Sequence, residues 1–325
     1  MQVIGGMSKM NGSPLVSVIV PNYNHAPYLK QRLDSILNQR VQDFEVIILD
    51  DCSTDNSKEI IEQYRSNTKL SHIVYNEHNG GTTFKQWQKG IELATGKYIW
   101  IAESDDYADP FFLERLLQYF DDQKIVLAFA RSFDVNATSE TIGLSYDQLD
   151  WNKQDLTMDG ASFVESYMYQ QCTIPNVSAV LFSRQYFQNS FLGLDYKLCG
   201  DWFFYLNMLT TGSIAYNATP LNYHRFHTNN VRSAHKNGLM VLGERLRILD
   251  YIKLAYNIGA QKLQSSLRFQ IQLFGEQMQL KSLVSVKQWA GIVRLFRYDS
   301  NKYLILIGVI CKRLYKGITK RQNIR

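Results

Sequence analysis

In the stretch WIAESDDYADP, Trp100 to Pro110, three carboxylates fall within four positions: Glu103, Asp105 and Asp106, with Ser104 between them. Like charges about 4 Å apart repel by about 4 kcal/mol at an effective dielectric near 20, so such a cluster requires water, a cation or cationic partners close by. A divalent metal is the first chemistry it predicts, because hard cations take oxygen ligands and often share them with substrate phosphates. Three other polar tips follow apolar runs or open a helix: PNYN (Pro21 to Asn24), DDCSTD (Asp50 to Asp55) and GDW (Gly200 to Trp202). A carboxylate after the second run can accept hydrogen bonds from a base or ribose, while those after the fourth can hold a metal that neutralises a diphosphate. That is equipment for a nucleotide diphosphate carrying something transferable.

These tips must be positioned by regular elements. LVSVIVP, FEVIILDD, HIVYNE, YIWIAE and IVLAFA are short, nearly continuous runs rich in Val and Ile. Such runs read as strands buried on both faces, the signature of a parallel sheet. Between them, Leu29, Leu33, Ile36 and Leu37 recur at helical spacing, as do Ile60, Ile61 and Tyr64, then Phe84, Trp87 and Ile91, then Phe112, Leu116 and Leu117. Asp55 is placed to cap the second helix, Gly96 to end the third, and Pro110 to open the fourth. Alternation through about residue 130 predicts an open α/β sheet with right-handed crossovers. Ligands bind such sheets beyond the carboxyl ends of the strands, where the acidic tips lie. After residue 131 the pattern is mixed, with a strand expected at VSAVLFS, a helix at GDWFFYLNML and a strand near IAYNATPLNYHRF; beyond Asn237 it is helical, broken near Gly259 and around Tyr298 to Asn301.

Four segments together, VSVIVPNYNHAPYLKQRLDSILNQ, FEVIILDDCSTDNS, ATGKYIWIAESDDYADP and GDWFFYLNM, resemble a family 2 glycosyltransferase, over roughly Val16 to His227. The resemblance implies the GT-A fold, α/β with a mostly parallel central sheet flanked by helices, here with a C-terminal helical extension. It implies inverting transfer from a nucleotide-diphosphate sugar with Mg2+ or Mn2+ as cofactor, and a saccharide or lipid-linked saccharide acceptor, in the manner of bacterial polysaccharide enzymes. Pro21, Tyr23 and Asn24 would line the nucleotide site and Asp51 would hold the base. Glu103, Ser104 and Asp105 occupy the D-x-D element, with Asp105 as metal ligand. Two departures stand out. Glu103 is one methylene longer than the usual first acid, so it could meet ribose or metal through water. An Arg-Asn pair common in relatives is replaced by Lys85, Gln86 and Trp87, and a Lys contacts diphosphate as a point charge, not a fork.

In the second half the resemblance makes Asp201 the base that takes the acceptor hydroxyl proton. The residue alone reads first as a helix N-cap, and the resemblance reverses that order. His227 resembles the histidine of an R-x-H element that approaches diphosphate or metal, and a buried structural histidine is the competing reading. Asp50 is expected to brace its turn and Asp106 to support Asp105. The aromatic residues Tyr167, Tyr169, Trp202, Phe203 and Phe204 are assigned to core packing ahead of sugar stacking.

The rest of the chain sets boundaries. With 325 residues and 45% hydrophobic content it holds a real core. Cys52, Cys172, Cys199 and Cys311 show no C-x-x-C pairing, and MQVIGGMSKMNGSP lacks signal-peptide features, so a reducing, cytoplasmic setting is expected. The net charge of +5 is local, since the last 25 residues carry seven Lys or Arg and no acid. A nucleic-acid partner is therefore not expected. YLILIGVIC, Tyr303 to Cys311, is about half of the ~20 residues that span a bilayer. The basic end could lie peripherally on an anionic inner-membrane face or pack on the catalytic domain with a solvated end. The expected organisation is a flexible tail at 1–14 and a catalytic domain at 15–235, divided into a nucleotide-binding half (15–130) and an acceptor-binding half (131–235). A helical region with a basic end follows at 236–325. A catalytically silent nucleotide-sugar-binding scaffold subunit is the alternative function. A nucleotide-dependent oxidoreductase is excluded, because PNYNHAP offers no G-x-G-x-x-G for a pyrophosphate.

Overall fold

The computed structural model describes residues 12–227 and 238–277. The N-terminal eleven residues and the basic C-terminal end, with Tyr303 to Cys311, lie outside the described residues. The chain forms two compact bodies, one of residues 12–164 with 173–227, the other of 165–172 with 238–277.

The first body is built on one sheet. Its strands are β1 (Val16–Asn22), β2 (Phe44–Asp50), β3 (Leu70–Tyr75), β4 (Tyr98–Ile101), β5 (Tyr107–Ala108), β6 (Ile125–Val135), β7 (Thr141–Leu144), β8 (Leu156–Asp159), β9 (Val180–Ser183) and β10 (Ser213–Arg225), in the order β3-β2-β1-β4-β9-β6-β10-β5. β7 pairs with β6, and β8 with β10. β1 is parallel to β2 and β4, and β2 to β3. β9 is antiparallel to both β4 and β6, and β10 is parallel to β6. Six strands, β1 to β4, β6 and β10, therefore run the same way and deliver their carboxyl ends to one edge. Every residue of β1, β2 and β4 is buried, which is why those runs carry no polar alternation.

The helices are α1 (Ala26–Leu37), α2 (Ser57–Gln63), α3 (Thr83–Leu93), α4 (Phe112–Leu117), α5 (Gly160–Phe163) and α6 (Gly200–Leu209). α1 begins with Pro27 in its first turn, where a missing N–H costs nothing. Asp55 serves two helix starts at once: Oδ1 accepts from Ser57 N at 3.0 Å and Oδ2 from Ala26 N at 2.9 Å. α3 lies so close to β1 that a Cβ at Gly90 would come within 2.3 Å of the Ile19 side chain. Only glycine allows that approach.

Several details differ from the sequence pattern. Pro110 sits in the turn before α4, not in its first turn. The VSAVLFS run opens with a 3-10 turn, Val177–Ala179, before β9 begins. β10 is a long strand whose register shifts around Pro220, where a missing N–H breaks the ladder. β6 runs through residue 130, so a single continuous strand crosses the boundary between the expected halves.

The second body contains the helices Gly238–Ala255 and Ala260–Gln277, separated by the expected break at Gly259. Ser266 Oγ donates to Tyr169 O at 2.7 Å, and Lys262 pairs with Glu165 at 3.0 Å, so residues 165–172 are held by the second helix. Among the described residues no helix is long and apolar enough to cross a membrane.

Candidate active site

The acidic tip after β4 is a set of carboxylates turned in different directions. Asp105 faces two histidines: its Oδ2 lies 3.0 Å from His227 Nε2, just beyond β10, and 4.0 Å from His25 Nε2, at the start of α1. Glu103 turns toward α3, where its Oε1 accepts from Trp87 Nε1 at 2.7 Å and Thr83 Oγ1 at 3.0 Å. Asp106 turns inward, 2% exposed, and accepts from Arg225 N at 2.9 Å and Asn176 Nδ2 at 2.6 Å. Ser104 is fully buried, with its hydroxyl 2.8 Å from His25 Nδ1.

This separation answers the electrostatic problem of four neighbouring residues with three acids. Burial, then the nearby Asp105 charge, pushes the Glu103 carboxyl up to about 8. Burial and Asp105 likewise raise Asp106. For Asp105 burial acts in the same upward direction, but the His25 charge and the His227 hydrogen bond outweigh it and hold the group well below the usual carboxylate range. Asp105 is thus the member that stays ionised. A buried cation stands behind the tip: Arg32 of α1 is fully buried over the Trp100 ring at 5.0 Å, and its nitrogens find no hydrogen-bond partner among the described residues. Burial lowers it to about 10, against the opposing pull of Asp106, Asp105 and Glu103.

Arg225 fixes the tip mechanically. Its Nε donates to Asp105 O at 2.7 Å, one terminal nitrogen donates to Asn136 O, Ala137 O and Ser139 Oγ at 3.0–3.2 Å, and the other donates to Gln31 Oε1 at 2.6 Å. The guanidinium also lies over Tyr28 and Tyr107 at 4.7 and 5.3 Å. The Arg and the His of the R-x-H segment therefore divide the work, one gripping the main chain of Asp105 and the other its carboxylate.

The tips of β1 and β2 interlock. Asp50 accepts from Asn22 Nδ2 at 2.7 Å and from Ser53 Oγ and N at 2.6 and 3.0 Å, which makes it a turn brace. Asn24, in the left-handed region at φ 55°, accepts from Thr54 N at 2.8 Å. Asp51 is 5% exposed; its Oδ1 accepts from Asn76 Nδ2, Gln86 Nε2 and Gly80 N at 2.7, 2.7 and 2.9 Å, while Oδ2 takes Gly80 N at 3.0 Å. Pro21 is buried within β1, Tyr23 is 46% exposed beside it, and Lys85 is exposed on α3.

Asp201 occupies the second position of α6, one residue after the helix start, and its Oδ1 accepts from Trp202 N at 2.7 Å. The cap position itself belongs to Cys199. α6 is seated on α3: a Cβ at Gly200 would come within 2.5 Å of the Phe84 ring, and Trp87 meets Phe84 and Phe204 edge-on at 4.8 and 6.2 Å. Trp87 also holds Glu103, so one side chain links the acidic tip to the helix that carries Asp201.

Asp105 and His227 are the two sequence-selected residues that the structure brings into direct contact, with Ser104 behind them through His25. His25 and Arg225 were not singled out by sequence. The available signals were that His25 follows the β1 tip by three residues and that Arg225 stands two before His227. The ligand atoms of His25, Asp105 and His227 all lie within 4.8 Å of one another, a nitrogen and oxygen donor set suited to a divalent cation.

The family model described as glycosyl transferase family 2 matches residues 17–187. The chain belongs to glycosyl transferase family 2. TuaG of Bacillus subtilis, named for teichuronic acid biosynthesis, is 37% identical over 119 residues, 37% of this chain and 47% of that protein. The hyaluronan synthase of Pasteurella multocida is 34% identical over 151 residues, 46% of this chain and 15% of the synthase. The matched stretch thus spans less than half the length of these relatives. Among solved structures, S. aureus TarS residues 1–349 superposes with a TM-score of 0.64 at 18% identity, covering 90% of this chain and 80% of that one. The Pyrobaculum calidifontis mannosyltransferase PcManGT, solved with GDP-Man and Mn2+, gives a TM-score of 0.53 at 14% identity, covering 94% and 88%. These likenesses establish the GT-A fold.

Proposed function

We propose that the chain is an inverting glycosyltransferase that moves a sugar from a nucleotide-diphosphate donor to a saccharide or lipid-linked saccharide acceptor in bacterial cell-surface polysaccharide synthesis. The observation that carries this reading is the pairing of Asp105 with His227 at 3.0 Å, joining the carboxyl ends of β4 and β10 on the edge where such sheets bind ligands. Structures of relatives bound to UDP-GlcNAc and to GDP-Man with Mn2+ support a nucleotide-sugar donor.

Asp105 and His227 would hold Mg2+ or Mn2+, which would supply positive charge to the departing diphosphate. Pro21, Tyr23 and Asn24 would border the nucleoside, and Asp51 would accept from the base by exchanging the Gln86 amide for a base N–H. Lys85 would approach the diphosphate as a point charge. Glu103, held by Trp87 and Thr83, would position the tip and meet the ribose through water; Ser104 would act through His25. Asp201 at the start of α6 would take the acceptor hydroxyl proton as that oxygen attacks the anomeric carbon from the face opposite the diphosphate.

A thermal-shift screen of nucleotide sugars with Mn2+ tests the reading, because a ligand that favours the folded state raises the melting temperature. One nucleotide sugar should raise the Tm in a Mn2+-dependent way and should be turned over with an acceptor. Binding without turnover across acceptor panels would favour the scaffold alternative instead.

A further inference from the structure

In the reaction as described so far, His25 enters only as the partner of Ser104. Its Nε2 lies 4.0 Å from the same Asp105 oxygen that holds His227 at 3.0 Å. Two ligand atoms each about 2.1 Å from one ion lie about 3 Å apart at right angles and about 4.2 Å apart when opposed, so both separations are of coordination size. The two imidazoles meet edge to face, with centroids 5.4 Å apart, and do not stack. Behind His25, the fully buried Ser104 hydroxyl lies 2.8 Å from Nδ1. In the neutral tautomer that donates Nδ1–H to Ser104, Nε2 would carry its lone pair on the side of Asp105, the arrangement by which outer partners orient metal-binding histidines.

We propose that His25 is a third protein ligand of the cation, forming a two-histidine, one-carboxylate set with Asp105 and His227, and that this set selects a first-row transition dication over Mg2+. The inference rests on the metal-dependent reading above. Mg2+ favours oxygen ligands and sheds its waters reluctantly, whereas imidazole nitrogens favour transition ions. Three protein ligands leave positions on a six-coordinate ion for phosphate oxygens. The three residues come from the ends of β1, β4 and β10, so the set exists only when the sheet is assembled.

The test is pulsed EPR of the full chain loaded with one equivalent of Mn2+, with and without UDP or GDP, counting directly bound nitrogen nuclei. Calorimetric Mn2+ and Mg2+ affinities accompany it. Two imidazole nitrogens are expected in the parent and one in His25→Gln, with Mn2+ binding weakened about tenfold or more and Mg2+ binding changed by no more than about twofold. One nitrogen in the parent, or a count unaffected by a folded His25→Gln, overturns the proposal and leaves the metal-dependent reading standing. Absence of Mn2+ binding with either diphosphate overturns both. Should His25→Gln fail to fold, the parent's nitrogen count decides.

Discussion

Replacing Arg225 with Lys separates the charge of this residue from its geometry. The side chain is 2% exposed and its guanidinium makes five hydrogen bonds of 2.6 to 3.2 Å to groups contributed by Gln31, Asp105, Asn136, Ala137 and Ser139. A lysine ammonium is a point donor on a flexible stem and cannot span a planar fork, so two or three of these acceptors lose their partner. Each lost bond costs about 1 kcal/mol net, and the weakened contacts over Tyr28 and Tyr107 add about 0.5 kcal/mol each. The expected loss for R225K is about 3 kcal/mol. With a urea m-value of about 3 kcal/mol/M, the unfolding midpoint should fall by about 1 M. Because one of the released groups is the main-chain oxygen of Asp105, Mn2+ affinity should fall as well, even at temperatures where the variant is folded. A midpoint within about 0.2 M of the parent, with unchanged Mn2+ affinity, would refute the claim that Arg225 fixes the acidic tip.

Glu103 is protonated more readily in the fold than its ordinary value of 4.5, with a folded value of about 8. Its stabilising contribution is therefore complete below pH 4.5 and is lost as pH rises toward 8; in EDTA, Glu103→Gln should flatten the fall of Tm across that window, and parallel Tm profiles would contradict this. Gly200→Ala places a methyl group 2.5 Å from the Phe84 ring, which should cost about 1–3 kcal/mol and move the start of α6; thermal unfolding and turnover should both decline, and a variant as stable and active as the parent would show that the contact relaxes freely. Asp201→Asn should lower turnover about 100-fold or more while leaving donor affinity within about twofold, and comparable turnover would remove Asp201 from the role of base.

The strands that organise the site are visible in the sequence because their environment is simple. β1, β2 and β4 are buried on both faces, so their Val and Ile runs stand out from the intervening helical spacing. The tips follow directly from the strand ends, which is why the placement of Asp51 and Asp105 at the sheet edge and the bracing role of Asp50 could be read from position. Edge strands were harder. β5 has two residues, β7 is almost wholly exposed, and β8 alternates over four residues with a face that is only half-buried. The neighbourhood of Asp105 was only half legible for a different reason: His25, Asp105 and His227 are separated by about 80 and 120 positions, and the β1-β4 and β5-β10 pairings are what show that they meet. The divergence of Glu103, Asp105 and Asp106 was not readable either. Adjacent acids look alike in sequence, while Trp87, the two histidines and Asn176 give each a separate direction.

The most direct measurement is anomalous diffraction from a crystal soaked with Mn2+ and a nucleoside diphosphate. The account predicts a manganese peak about 2.2 Å from Asp105 Oδ2 and a histidine nitrogen, with the diphosphate bridging to it and Asp201 facing the vacated sugar position. A peak bound elsewhere, or a diphosphate seated away from the β4 tip, would contradict it.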